Sequence, residues 1–134
     1  MMNQKSFDRD INGLADVFQF INMNLEKYGI PQNSLLELEL TAEELFTNMV
    51  RHNQTSDKPI NISIGKHGRA IRIIFSDYSK NPFDLTKADE VDLDEHLAER
   101  KSGGLGLHLV KTFMDEVHFE HSDDISTITL IKNI

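Results

Sequence analysis

The sequence of 134 residues contains no cysteine, which excludes disulfides, thiolate metal sites and cysteine nucleophiles. It also lacks a long hydrophobic run. The longest strongly apolar stretch, residues 71–75, is interrupted by Arg72 and is far too short to span a bilayer. Residues 1–10 are polar and contain no apolar signal core. These absences predict a soluble, cytoplasmic chain that makes no membrane contact.

Positive charge is scarce as well. Lys and Arg number 14 against 22 Asp and Glu, so the formal net charge is -8. Proteins that bind nucleic acid neutralise phosphates with clustered Lys and Arg, so this balance argues against a nucleic-acid partner and an anionic membrane surface. A nucleotide remains compatible, because it needs positive charge or backbone N–H groups only within its own site.

Hydrophobic periodicity predicts one α+β domain. Three helices are expected, at residues 10–28, 32–52 and 105–115. Four strands are expected, at residues 60–64, 70–76, 117–121 and 125–131. Helices laid on one face of a mixed, mostly antiparallel sheet give a two-layer sandwich. Residues 78–101 interrupt the pattern, and a loop of that length in a compact domain is either functional or disordered.

A glycine-rich stretch opens the third predicted helix. Gly103, Gly104 and Gly106 run into an apolar helical pattern, and the basic pair Arg100 and Lys101 precedes them. Glycine lets the backbone approach an anion closely, and the first N–H groups of a helix are unpaired and carry the positive end of its dipole. The stretch fits a phosphate-binding loop, although a glycine loop that only turns the chain has the same composition.

The second predicted helix carries a polar stripe. Glu44, Asn48 and His52 are spaced four residues apart, so their side chains stack along one face. A carboxylate and an amide one turn apart can hold a hydrated Mg²⁺, and the carboxylate can accept a proton from an attacking hydroxyl. The alternative is an ordinary solvated face, and for His52 it is a cap or a surface role.

Asp77 ends the second predicted strand and enters the long loop. An acid in this position is well placed to accept a hydrogen bond from an amino group such as that of adenine. The alternative is an aspartate that only initiates a turn.

Taken in order, these stretches resemble the nucleotide-binding boxes of the superfamily of gyrase, heat-shock chaperone, histidine kinase and mismatch-repair ATPases (GHKL). Within it, the chain is most similar to the anti-sigma factor serine/threonine protein kinases. The similarity covers about residues 10–132 and is strongest over residues 103–110 and 114–117. It implies the Bergerat ATP-binding fold, with ATP and Mg²⁺ as ligands and residues 84–101 as the ATP lid.

The resemblance implies a role for each matching side chain. Glu44 would be the general base acting on a protein serine or threonine, and Asn48 would coordinate Mg²⁺. Asp77 would hold the adenine amino group. Thr129, on a closing strand, would support adenine through its hydroxyl or a water.

The resemblance also implies how the triphosphate is held. Arg100 or Lys101 would neutralise charge at the γ-phosphate. The loop that wraps the phosphates and opens the receiving helix would consist of Gly103, Gly104, Leu105 and Gly106.

The sequence departs from the family pattern in three places. Ser79 stands where the family usually has glycine, and the segment from Asp77 to Asp84 is one residue longer than usual. Residues 1–8 leave room for little of the additional first strand that the family often has. Ser79 and the longer segment bear on adenine affinity. The N-terminal region helps to form the dimer and the partner surface in the family, so its shortness bears on the expected homodimer.

The resemblance implies a partner-switching kinase that phosphorylates a small anti-anti-sigma (antagonist) protein and alternately sequesters a sigma factor. Three alternatives stay open: a non-catalytic ATP-binding module that regulates a partner by docking, the catalytic fragment of a sensor histidine kinase, and a structural domain whose glycine loop is only a turn. Glu44 favours catalysis, since a module that merely binds nucleotide does not need that acid.

Overall fold

The computed structural model describes residues 2–52, 56–79 and 104–134, and at residues 52 and 104–108 it describes the backbone alone. Its elements in chain order are strand β1 (Asn3–Phe7), a 3₁₀ turn (Ile11–Gly13), helices α1 (Leu14–Lys27) and α2 (Gln32–His52), strands β2 (Ile60–His67) and β3 (Ala70–Tyr78), helix α3 (Gly104–Phe113), and strands β4 (Glu116–Ser122) and β5 (Ile125–Asn133). The predicted lid at residues 84–101 lies outside the described residues.

The strands form one sheet in the order β1-β2-β3-β5-β4, and every adjacent pair is antiparallel. The predicted α+β architecture is therefore confirmed, and the antiparallel character extends to all four described pairings. Hairpin turns join β2 to β3 and β4 to β5. The first uses Gly68 at φ +59, and the second places Asp123 and Asp124 in the left-handed region, where aspartate is tolerated better than most residues.

Strand β1 is a finding that the sequence did not predict. Residues Asn3–Phe7 pair with β2, although residues 1–8 were expected to leave little room for a strand. Four of the five β1 residues are exposed and only Phe7 is buried, so no alternation of apolar residues marks this edge strand. Backbone pairing with β2, a hydrogen bond from the Asn3 side chain to Asn24 of α1, and the edge-to-face contact of Phe7 with Phe20 hold this strand in place.

The two long helices form a hairpin over one face of the sheet. The carboxylate of Asp10 accepts a hydrogen bond from the Asn12 backbone N–H at 2.9 Å and caps the turn that leads into α1. Gly29, at φ +64, follows the end of α1 and reverses the chain. The predicted bounds of the second helix are confirmed by α2.

The core lies between these helices and the inner face of the sheet. Each fully buried aliphatic side chain contributes about 1.5–3 kcal/mol to folding. Strands β3 and β5 alternate, so every second residue faces inward. The inward residues of β3 and β5 are Ile71, Ile73, Phe75 and Asp77, paired in register with Lys132, Leu130, Ile128 and Ser126. The apolar middle of this ladder is thus bounded by Asp77 and Ser126 at one end and by Lys132 at the other.

Candidate functional site

Glu44 and Asn48, one turn apart on α2, are directly bonded. The Asn48 side chain donates through Nδ2 to the Glu44 backbone oxygen and to the Glu44 carboxylate Oε1, at 2.7 Å each. Asn48 is buried and Glu44 is half-buried. Because Nδ2 is engaged twice, the amide plane of Asn48 is fixed. The His52 side chain lies outside the described residues.

The second polar atom of the Asn48 amide is available to a ligand. Asn48 Oδ1 is buried and has no hydrogen-bond partner among the described residues. A buried oxygen left unpartnered costs about 1–3 kcal/mol. An amide oxygen next to a carboxylate is the type of ligand that Mg²⁺ takes, with substrate phosphates and waters as its other ligands. The residues present therefore fit the Mg²⁺ that the sequence suggests.

Asp77 is held by an arginine that belongs to none of the predicted motifs. Arg9 Nη2 pairs with Asp77 Oδ1, and the two side chains are only 4% and 6% exposed. Burial raises the pKa of Asp77 above its ordinary value of 3.8, because it penalises the charged form. The hydrogen bond and the charge of Arg9 lower the pKa and offset part of that effect. The acid at this strand end is thus buried and paired.

The hydroxyl beside Asp77 belongs to Ser126, which lies in none of the predicted motifs. Ser126 of β5 is directly paired with Asp77 of β3, and paired residues point to the same face of a sheet. Ser126 Oγ is buried and has no hydrogen-bond partner within the described part of the chain. A carboxylate and an unpartnered hydroxyl therefore lie side by side at the inner edge of the sheet.

Thr129, the hydroxyl expected to support adenine, is not brought to Asp77. It pairs with Ile74 on one side and His118 on the other, at positions that alternate with the inward-facing Ser126. Because successive residues of a strand point to opposite faces, Thr129 lies on the face of the sheet away from Asp77. The structure corrects this prediction, and the hydroxyl that does lie beside Asp77 is that of Ser126.

The backbone after Asp77 is anchored to the β4–β5 hairpin. The Ser79 N–H donates to the Asp124 backbone oxygen at 2.8 Å, and the His121 Nε2–H donates to the Ser79 oxygen at 2.7 Å. Asp123 and Asp124 are the described non-glycine residues with positive φ, so Ser79 stands in place of the usual glycine without left-handed strain. These two hydrogen bonds hold the backbone that follows Asp77 in place.

The phosphate-loop residues are described only in part. Gly104, Leu105 and Gly106 form the first turn of α3, where helical N–H groups lack partners within the helix. Arg100, Lys101 and Gly103 lie outside the described residues. The third motif therefore begins a helix, as expected.

A cavity of about 210 Å³ opens between α2 and α3 beside Glu44. Its lining residues are Leu40, Thr41, Glu43, Glu44, Leu109, Val110 and Phe113. Leu40 and Leu109, which line it from opposite helices, are each 41% exposed. Glu44 thus borders an apolar recess between the helix of the polar stripe and the helix that the glycines open.

Helix α2 connects these parts. Arg9, which holds Asp77, also donates through Nη1 to the Met49 backbone oxygen at 2.9 Å, one residue beyond Asn48. Arg9 and Ser126 lie in no predicted motif, because they are brought to Asp77 by long-range packing. The alternation of Ile128 and Leu130 with polar residues was the one signal for Ser126. Within the described chain, no helix combines the length and apolar character needed to cross a membrane.

Comparison with known proteins gives a family match over nearly the whole chain. Residues 7–132 match the family described as the histidine kinase-like ATPase domain. A serine-protein kinase RsbW of Bacillus licheniformis is 31% identical over 111 residues, which make up 79% of this chain and 69% of that protein.

Two solved structures share the fold. The crystal structure of the RsbU and RsbW domains of a Mycobacterium tuberculosis protein gives a TM-score of 0.72 at 16% identity, over 99% of this chain and 32% of that one. The crystal structure of the SiaB–SiaC complex from Pseudomonas aeruginosa gives a TM-score of 0.70 at 9% identity, over 98% of this chain and 88% of that one. At such identities the likeness shows the architecture alone.

Proposed function

The chain belongs to the histidine kinase-like ATPase family, among the anti-sigma factor serine/threonine protein kinases, and we propose that it is an active, ATP-dependent protein kinase. Its substrate is a serine or threonine hydroxyl of a small anti-anti-sigma protein. A sigma factor is its second partner, bound alternately with that antagonist. A homodimer is the expected assembly, in keeping with the family resemblance.

The observation that carries this proposal is the joined pair Glu44 and Asn48. Phosphoryl transfer needs positioning and charge neutralisation more than covalent catalysis. Asn48 fixes Glu44 Oε1 through a hydrogen bond of 2.7 Å and leaves its own Oδ1 unpartnered among the described residues. One amide therefore orients a base and offers an oxygen to Mg²⁺, which neutralises phosphate charge when bound.

In the proposed reaction, Glu44 accepts the proton of the substrate hydroxyl while that oxygen attacks the γ-phosphorus. A new bond forms between the hydroxyl oxygen and phosphorus, the bond from phosphorus to the bridging oxygen breaks, and ADP leaves. Asn48 keeps the carboxylate of Glu44 in a single orientation during this step. A protein that only binds nucleotide gains nothing from a base held in this way.

The adenine end of the substrate lies at Asp77 in this proposal. An ionised carboxylate accepts a hydrogen bond from the 6-amino group of adenine, and the neighbouring Ser126 hydroxyl supplies a second polar contact directly or through water. The first turn of α3, at Gly104, receives the phosphates with backbone N–H groups. Both ends of the nucleotide then lie against α2.

The protein substrate reaches Glu44 through the recess between α2 and α3. That recess is lined by Glu44 and by exposed apolar side chains such as Leu40 and Leu109, which suit a peptide segment better than water. SiaB, a protein of the same fold, was solved in complex with SiaC. This supports a surface that docks another protein.

Phosphorylation of the cognate antagonist with labelled ATP tests the proposal. We expect transfer by the wild type, and a loss of about 10²–10⁴-fold in Glu44→Gln, because the amide cannot take the proton. Glu39→Gln, a matched change five residues earlier on α2, should transfer phosphate at the wild-type rate. Thermal melts with Mg²⁺-ATP should show the same nucleotide stabilisation in all three proteins.

Each other outcome selects a different function. Nucleotide stabilisation without phosphoserine or phosphothreonine on the antagonist would identify a non-catalytic binding module. Equal loss of binding and transfer in Glu44→Gln would reassign Glu44 to binding or folding. A wild type that Mg²⁺-ATP does not stabilise would leave only a structural domain.

A further inference from the structure

Arg9 lies in the segment between β1 and α1, and its guanidinium joins two parts of the candidate site. Nη2 pairs with Asp77 Oδ1 at the end of β3, and Nη1 donates to the Met49 backbone oxygen at 2.9 Å. That oxygen is one of the last four carbonyls of α2, which have no partner within the helix. One side chain therefore contacts the adenine-side acid and caps the helix that carries Glu44 and Asn48.

We propose that Arg9 is a positioning residue for nucleotide recognition. It holds the Asp77 carboxylate ionised and aimed, and in this way it sets the preference for a 6-amino purine over a 6-oxo purine. The inference rests on the proposed function, because it takes Asp77 as the acceptor for the base.

The burial of Arg9 argues for a fixed support rather than a gate over the base site. Its side chain is only 4% exposed, and its two bonds lead to different elements, the end of β3 and the end of α2. A guanidinium presents its donors in a rigid planar fork, so the two bonds together fix its plane. Swinging Arg9 out would strip the partner from the Asp77 carboxylate and from the Met49 carbonyl.

Asp77 needs such a support because its surroundings work against its charge. Burial disfavours the carboxylate, and Arg9 is the cation that lowers its pKa. Ser126, directly opposite on β5, adds a hydroxyl but no charge. Without Arg9, the acid is free to take up a proton and to rotate.

The ionisation state of Asp77 decides which base it accepts. A carboxylate can only accept hydrogen bonds, so it binds a 6-amino group and repels a 6-oxo group, which is also an acceptor. A protonated or rotated carboxyl loses that contrast, because its O–H can donate to the oxo group. The ratio of ITP to ATP dissociation constants therefore reports how well Asp77 is held, whereas a general loosening of the fold weakens both nucleotides alike.

The experiment measures the dissociation constants of ATP and ITP, each with Mg²⁺, by calorimetry at neutral pH. The proteins compared are the wild type, Arg9→Met, Arg9→Lys and Asp77→Asn, with Arg69→Met as the control for an exposed arginine in the β2–β3 turn. Asp77→Asn gives the ITP-to-ATP ratio expected when residue 77 does not discriminate between the two bases, because its amide can donate a hydrogen bond to the 6-oxo group.

We expect the ITP-to-ATP ratio to fall by about tenfold or more in Arg9→Met, the usual weight of a charge-assisted hydrogen bond. Arg9→Lys keeps a cation but cannot span both acceptors, so its ratio should lie between those of the wild type and Arg9→Met. Arg69→Met should match the wild type. If Arg9→Met does not fold, Arg9→Lys and Asp77→Asn still decide the question.

Three results overturn the inference. An ITP-to-ATP ratio in Arg9→Met equal to that of the wild type would make the ion pair purely structural. Arg9→Lys gives the same test if Arg9→Met does not fold. Tighter ATP binding by Arg9→Met would mean that Arg9 competes with adenine for Asp77. A wild type that binds ATP and ITP equally removes the adenine role of Asp77 and the inference with it. A wild type that prefers ATP but transfers no phosphate contradicts only the kinase proposal.

Discussion

Two buried cations connect strand ends to helix ends, and they lie at opposite ends of the β3–β5 ladder. Arg9 joins Asp77 to the Met49 oxygen near the end of α2. Lys132 bonds to Glu37 Oε2 at 2.5 Å and donates to the Phe113 oxygen at the end of α3 at 2.8 Å. Each cation thus has one carboxylate and one carbonyl from a helix C-terminus, where the helix dipole favours positive charge.

The surroundings of the two cations differ. Four buried side-chain atoms lack a hydrogen-bond partner in the described residues. Three of them, Arg9 Nε, Asn48 Oδ1 and Ser126 Oγ, belong to the Asp77 end, and the fourth belongs to Asn22 of α1. Within the described part of the chain, the buried polar atoms at the Lys132 end all have hydrogen-bond partners, whereas those at the Asp77 end do not. Unpartnered polar atoms are costly, so their concentration marks the end that suits a ligand.

Among the changes that test the contrast between the two ends of the ladder, the largest effect on activity is expected at Asn48. Asn48→Ala removes the free oxygen and releases Glu44, so phosphotransfer should fall by about 10²–10³-fold. Folding stability should change by only about 1 kcal/mol, because the lost bonds are offset by the removal of an unpartnered buried oxygen. Transfer rates with labelled ATP and urea unfolding measure the two quantities. Wild-type transfer by this variant would remove Asn48 from the site.

Arg9→Met should destabilise the fold by about 3–5 kcal/mol at neutral pH, because it strands a buried carboxylate. Burial raises the pKa of Asp77 above 3.8, so the folded state binds this proton more tightly than the unfolded chain. The contribution of Asp77 to folding stability therefore falls as pH rises from 3.8 through its higher pKa in the folded state. The fall is larger without Arg9. The penalty should shrink on acidification toward pH 3.8.

Urea unfolding of the wild type, Arg9→Met and Arg69→Met at pH 7 and near pH 4 checks this dependence. Arg69→Met should show no penalty at either pH. A penalty for Arg9→Met of the same size at both values would mean that packing of the arginine, and not its pairing with the Asp77 charge, carries the effect.

Lys132→Met should destabilise the fold by about 1–3 kcal/mol and leave nucleotide binding unchanged. The penalty is smaller than at Arg9 because the Glu37 side chain is 33% exposed and regains water when its partner is lost. Unfolding curves with and without Mg²⁺-ATP measure both quantities. Loss of the nucleotide-induced stabilisation in this variant would erase the contrast between the two ends of the ladder.

The smallest effect separates the two faces of β5. Ser126→Ala should weaken ATP binding by about two- to tenfold, the weight of one neutral hydrogen bond. Thr129→Val, the matched change on the opposite face, should have no effect on ATP affinity. The reverse order, with Thr129 sensitive and Ser126 silent, would restore the adenine role first predicted for Thr129.

The long elements of this fold were predictable, and the edge strand was not. Helix α2 carries its apolar residues at helical spacing over 21 residues, so its bounds follow from sequence. Strand β1 buries only Phe7, so it leaves no periodic apolar signal in the sequence. The strand also leads into Arg9, which lies beside Asp77. Because β1 was not predicted, the pairing of Arg9 with Asp77 was not predicted either.

The candidate site was predictable where its residues share an element. Glu44 and Asn48 lie one helical turn apart, and spacing alone predicts that they are neighbours. Arg9 is separated from Asp77 by 68 positions in the chain, and only the folded sheet brings them together. Thr129 was predicted from the family resemblance alone. Ile125 and Ile131 occupy outward positions of β5 and blur its alternation, so the sequence gives no clear sign of which hydroxyl faces Asp77.

Amide hydrogen exchange of the wild type, with and without Mg²⁺-ATP, tests most directly whether the incomplete end of the ladder is the nucleotide site. We expect added protection in residues 44–49, 77–79 and 126, and unchanged exchange around residues 115 and 132. Protection confined to the Lys132 end, or none anywhere at saturating nucleotide, would contradict that assignment.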